Sequence, residues 1–397
     1  MELNWIDRFF LKALYLTAMG IVIMQTLGQS SLTSLLFTMT FPLTVFLWLR
    51  SVRKTVTEED VLLILAVALA VICVLLDAAI HTASLSFSYL RKVVMFSITL
   101  LFFQTSYRMR LDRDMVQFIT RVVDCLVLYL AIMYFARPYQ MHMFSGRISN
   151  YLTFRIGNPN LTGMFLACLY ALELYRVFSR EKITFKLFRI AMAIFLVVCI
   201  FLTRSRNALM VVLIFTAVCL WLIFRGFKKM KISKPVAILI ALLPAAFVAG
   251  YLIVVYTPWF NNILAFLVGE GKNLDSRVDI WQPAVVEFLR SPLIGSFYTI
   301  TKGMGNAQMH NSHLDIAASY GILVLTLVCV LLFRYLNQNG RCYNTKEKYI
   351  CILGFASVLM LGIGEAGLFA GGLGLYIFVG TFLILAGQED KRIAEVM

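Results

Sequence analysis

Stretches of about 20 mainly apolar residues, the length that crosses a bilayer core as an α-helix, recur from one end of this 397-residue chain to the other. Hydrocarbon offers no partner to a backbone N–H or C=O, so segments of this kind fold as helices that satisfy themselves. Composition agrees: 60% of the residues are apolar and 14% charged, against roughly 45–50% and about 25% in soluble domains. The expected fold class is all-α, a polytopic bundle of about 12 transmembrane helices. The windows lie near 9–27, 32–49, 61–80, 88–106, 115–136, 160–178, 185–203, 206–225, 235–257, 312–333, 349–366 and 368–387. No linker or fixed repeat divides the chain, so residues 1–397 read as a single integral membrane domain. Acidic Glu2 and Asp7 beside Arg8 and Lys12 make the first apolar run an uncleaved helix rather than a signal peptide. Most of the eight cysteines sit inside apolar runs, which argues against a disulfide framework or a paired metal site.

A formal charge of +15 is compatible with nucleic acid, but the basic residues follow topology first. Arg50 and Arg53, Arg108 and Arg110, Arg176 and Lys182, Lys228 and Lys229, and Arg341 and Lys346 fall in alternate loops. The positive-inside rule then places these loops and both termini in the cytoplasm, with no nucleic acid among the partners. The opposite side keeps basic residues that topology does not explain: Arg91, Lys92, Arg137, Arg147, Arg155, Arg204, Arg206, Lys272, Arg277, Arg290 and Lys302. Four of these lie in a large extracytoplasmic loop, 258–311, between the ninth and tenth spans. Loops of that length are usually functional. Trp281, Val285, Phe288 and Leu289 fall at helical spacing, predicting a helix over 276–290 lying on the membrane surface.

Three outer constellations carry chemistry. His310, Asn311, His313 and Asp315 stand at the start of the tenth span, and an imidazole there suits a general base. A metal is the lesser reading, since no third ligand is suitably spaced and nearby arginines disfavour a cation. The plainer alternative is a helix cap with a histidine satisfied by a carbonyl. Thr203-Arg204-Ser205-Arg206-Asn207 interrupts two apolar runs with almost no loop. Its guanidinium forks match a phosphate or diphosphate, with Arg277 a third candidate; snorkelling towards lipid phosphate is the alternative. Asn158-Pro159-Asn160 followed by Gly163 reads mainly as a turn and cap. Asp77 and Asp124, inside apolar runs, are either site residues or interhelical partners, and Glu365 in the small-residue run 362–374 is a weaker candidate.

His310-Asn311, nine intervening residues, then Gly321 resembles the histidine motif of the O-antigen ligase and polymerase superfamily. Ser276-Arg277 followed by Trp281, Ser291-Pro292 with Gly295, Thr203-x-Ser205-Arg206 and Asn158-Pro159-Asn160 look like that family's landmarks in the same order. The motifs cover roughly residues 150–335, and the topology resembles the family over the whole chain. Val324, three after the glycine, departs from the small or Thr/Tyr residue of the ligase pattern and puts the polymerase branch ahead. The resemblance implies a multi-pass enzyme of the bacterial plasma membrane, an inverting glycosyltransferase joining undecaprenyl-diphosphate-linked oligosaccharides on the outer face without metal or other cofactor. His310 is then the base and Arg206 and Arg277 stabilise the leaving diphosphate, with Arg204, His313, Asn311, Asp315, Arg155, Asn160 and Trp281 around the substrate. Besides membrane lipids, a chain-length regulator and a flippase of the same pathway are the expected partners. The rival readings are a ligase moving finished polymer to a lipid A core or other acceptor, and a flippase or transporter of an anionic solute. Transporters usually show inverted repeats, which this sequence lacks.

Overall fold

The structure is a computed structural model that describes residues 3–53, 55–81, 87–136, 141–144, 147–156, 158–178, 183–225, 232–257, 275–297, 310–338, 345–365, 367–369 and 374–396. Helices run over Trp5–Thr26 (α1), Ser30–Val52 (α2), Glu58–Ile80 (α3), Phe87–Arg108 (α4), Arg113–Ala136 (α5), Pro159–Phe178 (α6), Ile183–Thr203 (α7), Arg206–Phe224 (α8), Lys234–Tyr256 (α9), Asp275–Arg290 (α10), Ser312–Gln338 (α11), Lys346–Leu361 (α12) and Leu375–Val396 (α13). Ten of the twelve apolar windows lie on a helix to within a residue, whereas 349–366 runs past the end of α12 at Leu361 and 368–387 begins before α13 at Leu375. Among the described residues, eight helices, α1, α2, α3, α5, α6, α7, α9 and α11, are long and apolar enough to cross a membrane, and α8 and α13 carry shorter apolar stretches. The chain is a polytopic helical membrane protein.

Local chemistry starts several helices. Asn4 with Asp7 and Thr57 with Asp60 form capping boxes on α1 and α3. Asn158 Oδ1 accepts from Leu161 N at 2.7 Å to cap α6. Packing then joins α6 to α7, α1 to α2, α3 and α9 to α11, and α4 to α13. Buried polar residues tie these faces together. Asp60 accepts from Gln104 Nε2 at 2.8 Å, and Tyr335 OH donates to Gln104 Oε1 at 3.0 Å, linking α3, α4 and α11. Asp124 of α5 pairs with Arg176 of α6 and Arg189 of α7, so it is an interhelical tie. Asp77 faces His81, the C-cap residue of α3, at 3.2 Å.

Two features depart from the sequence reading. In the loop before α6, Met141–Phe144 and Arg147–Asn150 pair antiparallel as β1 and β2, with Met141 opposite Asn150 and Phe144 opposite Arg147. A loop without helix satisfies its backbone by pairing with itself. Helix α10 falls where predicted but does not simply lie on a membrane surface. Trp281 and Ala284 are fully buried against Val248 of α9 and Leu314 and Ala318 of α11, and the Trp281 ring meets Tyr251 edge-on at 5.2 Å. The remainder of the large loop, 258–274 and 298–309, lies outside the described residues.

The turn after α10 docks into a break in α11. Gly321 has φ +82° inside that helix, and Ile322 N donates to Pro292 O at 2.8 Å. A Cβ on Gly321 would stand 2.1 Å from Leu293 O, so only glycine admits this approach. Gly295, at φ +73°, meets Ser319 in the same way, and Ser296 N bonds Ala318 O at 2.8 Å. The spacing of His310 and Gly321 is thus the spacing between a helix start and its docking kink.

Candidate functional site

Helix α11 begins against the middle of α9. Pro244 lacks the N–H that an α-helix uses, which loosens the ladder there, and two carbonyls of that turn receive bonds from α11. Asn311 Nδ2 donates to Pro244 O at 2.9 Å and also to Ile363 O at 3.2 Å, while its Oδ1 accepts from His313 N and Leu314 N at 3.1 and 2.9 Å. Fully buried and using both ends of its amide, Asn311 is a joint between α9, α11 and the turn after α12. Ser312 N donates to Gly362 O at 2.9 Å in the same joint.

His310 precedes that cap with φ +47°. Its Nδ1 lies 3.1 Å from Glu365 Oε1. The Glu365 side chain is 2% exposed and the His310 side chain 26%. With Glu365 as the acceptor for Nδ1–H, Nε2, which has no partner among the described residues, is the nitrogen left to accept a proton. Glu365 Oε2 is likewise without a partner among the described residues.

The second histidine is differently placed. His313 is 2% exposed, with Nε2 2.7 Å from Ala241 O and Nδ1 3.3 Å from Ser312 Oγ. Both ring nitrogens are engaged inside the bundle. Asp315 also turns inward, where Lys92 Nζ of α4 bonds its Oδ1 at 2.8 Å and Ser319 Oγ at 3.0 Å. That pair accounts for Lys92, one of the outer basic residues that topology left unexplained.

The arginine turn between α7 and α8 is held by its small neighbours. Ser205 is buried against Gly163, where a Cβ would come within 2.6 Å, and Leu152 N bonds Leu202 O at 3.1 Å. Arg204, at φ +55°, lays its guanidinium 5.4 Å from the centre of the Tyr151 ring. Arg206 opens α8 and is exposed. Arg155, exposed at φ +59°, stands beside Gln25 and Gly28 at the end of α1. Among the described residues no acidic side chain pairs with Arg155, Arg204 or Arg206.

The two constellations share one support. Asn207 Nδ2 donates to Leu361 O at 2.8 Å, and Gly364 approaches the same amide so closely that a Cβ would stand 2.7 Å from it. The turn 361–365 therefore carries Asn207, next to Arg206, at one end and the His310 partner Glu365 at the other. Backbone strain marks the same region. The non-glycine residues with positive φ among those described are Phe154, Arg155, Arg204 and His310, a conformation that costs about 1–3 kcal/mol each and clusters at functional sites.

Asn160, partly exposed, sits in the first turn of α6 behind the cap Asn158. Trp281 is fully buried and anchors α10. Arg277 stands in the first turn of α10, and its side chain lies outside what the structure describes. Glu365 and Lys92 were the residues least marked in sequence; an acid inside a run of glycines is the signal for the first, and an outer lysine without a topological reason is the signal for the second.

Residues 191–329 match the family model described as O-Antigen ligase. The matched stretch runs from α7 into α11 and contains Arg204, Arg206, Arg277, His310 and Gly321. No curated protein matches the chain. Over the matched stretch, which carries the basic turn and the motif histidine, this multi-pass helical membrane protein is similar to the O-antigen ligase family.

Proposed function

We propose that the protein is a polysaccharide polymerase, joining undecaprenyl-diphosphate-linked oligosaccharide repeats on the outer face of the membrane by an inverting displacement that needs no metal. The observation that carries this reading is the common turn 361–365, which braces both a carboxylate-held imidazole and a turn bearing two guanidiniums that have no acidic partner among the described residues. Glycosyl transfer from a lipid diphosphate needs a base for the acceptor hydroxyl and cations for the leaving group. His310 Nε2 takes the hydroxyl proton as the oxygen attacks the anomeric carbon. The bond to the diphosphate oxygen breaks on the opposite face, and the electron pair leaves with the lipid diphosphate. Arg206, with Arg204 and Arg277, stabilises the charge that develops there, since planar guanidinium forks match paired phosphate oxygens. The arginine turn and His310, held by one common turn, favour this enzyme over a transporter, whose polar residues collect at the membrane midplane.

A ligase is the second reading, favoured by the description of the matched family model. The two differ in acceptor, a second lipid-linked repeat or a lipid A core. Purified protein with the cognate lipid-linked repeat and EDTA should give a ladder of lengthening glycans and free lipid diphosphate, lost in His310→Ala. Transfer to an added core without a ladder would assign the ligase reaction, and neither product would overturn both.

A further inference from the structure

At the same end of the bundle, a site of another kind lies between α2 and α4. The two helices enclose an open crevice of about 250 Å³, walled by Phe37, Phe41, Leu90, Val94, Met95 and Ile98. Its polar lining is slight: the Thr38 hydroxyl already donates to Ser34 O at 2.9 Å. The crevice opens on the apolar outer face of α2, where Leu35, Met39 and Phe41 are 56%, 52% and 40% exposed. Hydrocarbon, not water, is what such a surface meets in a bilayer. One cation stands in the lining. Arg91, in the second turn of α4, lies with its guanidinium 5.3 Å from the centre of the Phe37 ring, and no acidic side chain pairs with it among the described residues. Its neighbour Lys92 is committed to Asp315 and Ser319, which fixes the level of Arg91 near the start of α11.

We propose that this crevice is a binding site for one bilayer glycerophospholipid, with an acyl chain between α2 and α4 and the phosphate on Arg91. Charge chooses the occupant. A phosphodiester carries one negative charge and matches one guanidinium that has no acidic partner among the described residues, whereas a lipid diphosphate calls for further cations, and Lys92 is already engaged with Asp315. The site is separate from the His310 chemistry and stands whether the enzyme is a polymerase, a ligase or neither.

The test is native mass spectrometry of the purified, delipidated full chain titrated with dioleoylphosphatidylglycerol. The expected result is one retained lipid per chain, bound about tenfold more weakly after Arg91→Gln, the loss of one charge-assisted contact. Thr38→Trp, which fills the crevice from the exposed side of α2, should weaken retention similarly and serves if the arginine variant fails to fold. Dioleoylglycerol, lacking phosphate, should bind no better to the wild type than phosphatidylglycerol binds to Arg91→Gln. Retention unchanged in both variants, or equal binding of dioleoylglycerol, would overturn the proposal. So would undecaprenyl diphosphate displacing the phospholipid at equal concentration.

Discussion

His310 and Glu365, separated by 55 positions in the chain, meet at 3.1 Å between Nδ1 and a carboxylate oxygen. The contact joins the residue before α11 to the turn after α12, and the bonds from Ser312 and Asn311 to Gly362 and Ile363 brace both sides of it. A histidine so held presents one nitrogen and one ring orientation, which a base on a flexible loop would have to find during each turnover.

Removing the carboxylate should therefore slow transfer without unfolding the protein. Glu365→Ala is expected to lower the initial rate of glycan transfer by about 10²-fold or more, within the range of general-base contributions. Glu365→Gln keeps an acceptor for the Nδ1 proton and should lose less. Rates read by gel against a thermal melt check the two; a rate equal to wild type in Glu365→Ala would remove the carboxylate from the reaction.

The arginine turn makes a second prediction. Arg206→Ala should cost on the order of 10²-fold in rate, the usual loss for one donor to a developing anion. Arg206→Lys should restore little of it, because an ammonium lacks the paired donors of a guanidinium. Single-turnover transfer from a fixed amount of lipid-linked donor measures both.

Gly321→Ala should be among the most destabilising single-methyl changes in the chain. Its φ of +82° disfavours any side chain, and the new Cβ would stand 2.1 Å from Leu293 O. Conformational strain alone is about 1–2 kcal/mol, and the turn 292–295 must also leave its dock. A lowered melting temperature in detergent, with loss of transfer, is the expected outcome.

Cutting the pair between α4 and α11 tests a structural role. Lys92→Met leaves Asp315, whose side chain is 9% exposed, without its cation, at a cost on the order of 2 kcal/mol for a lost charged hydrogen bond. The double variant Lys92→Met with Asp315→Leu should recover much of that stability, since an apolar pair leaves no stranded charge. Thermal melts of the four proteins complete the cycle.

Hydropathy alone placed the apolar windows on the helices of the bundle, the last two with shifted ends, because a run of this length in a bilayer has one way to satisfy its backbone. Local spacing likewise predicted helix α10 and the cap at Asn158. The partners of charged and aromatic residues were beyond such reasoning. Asp124 had a site reading and an interhelical one, and only the packing of α5 against α6 and α7 chose between them. Trp281 read as a landmark of the family motif, and only the packing of α9, α10 and α11 shows it as the buried peg of α10.

Period and composition act over one or two helical turns, so the sequence by itself determined the helical class, the windows, and the outer histidine and arginines as candidates. Which histidine stays accessible, which acid holds it and which lysine is spent on Asp315 depend on contacts 55 to 223 positions apart. A carboxylate attracts any nearby cation equally well, and only the tertiary packing of α4, α9, α11 and α12 decides which one is near.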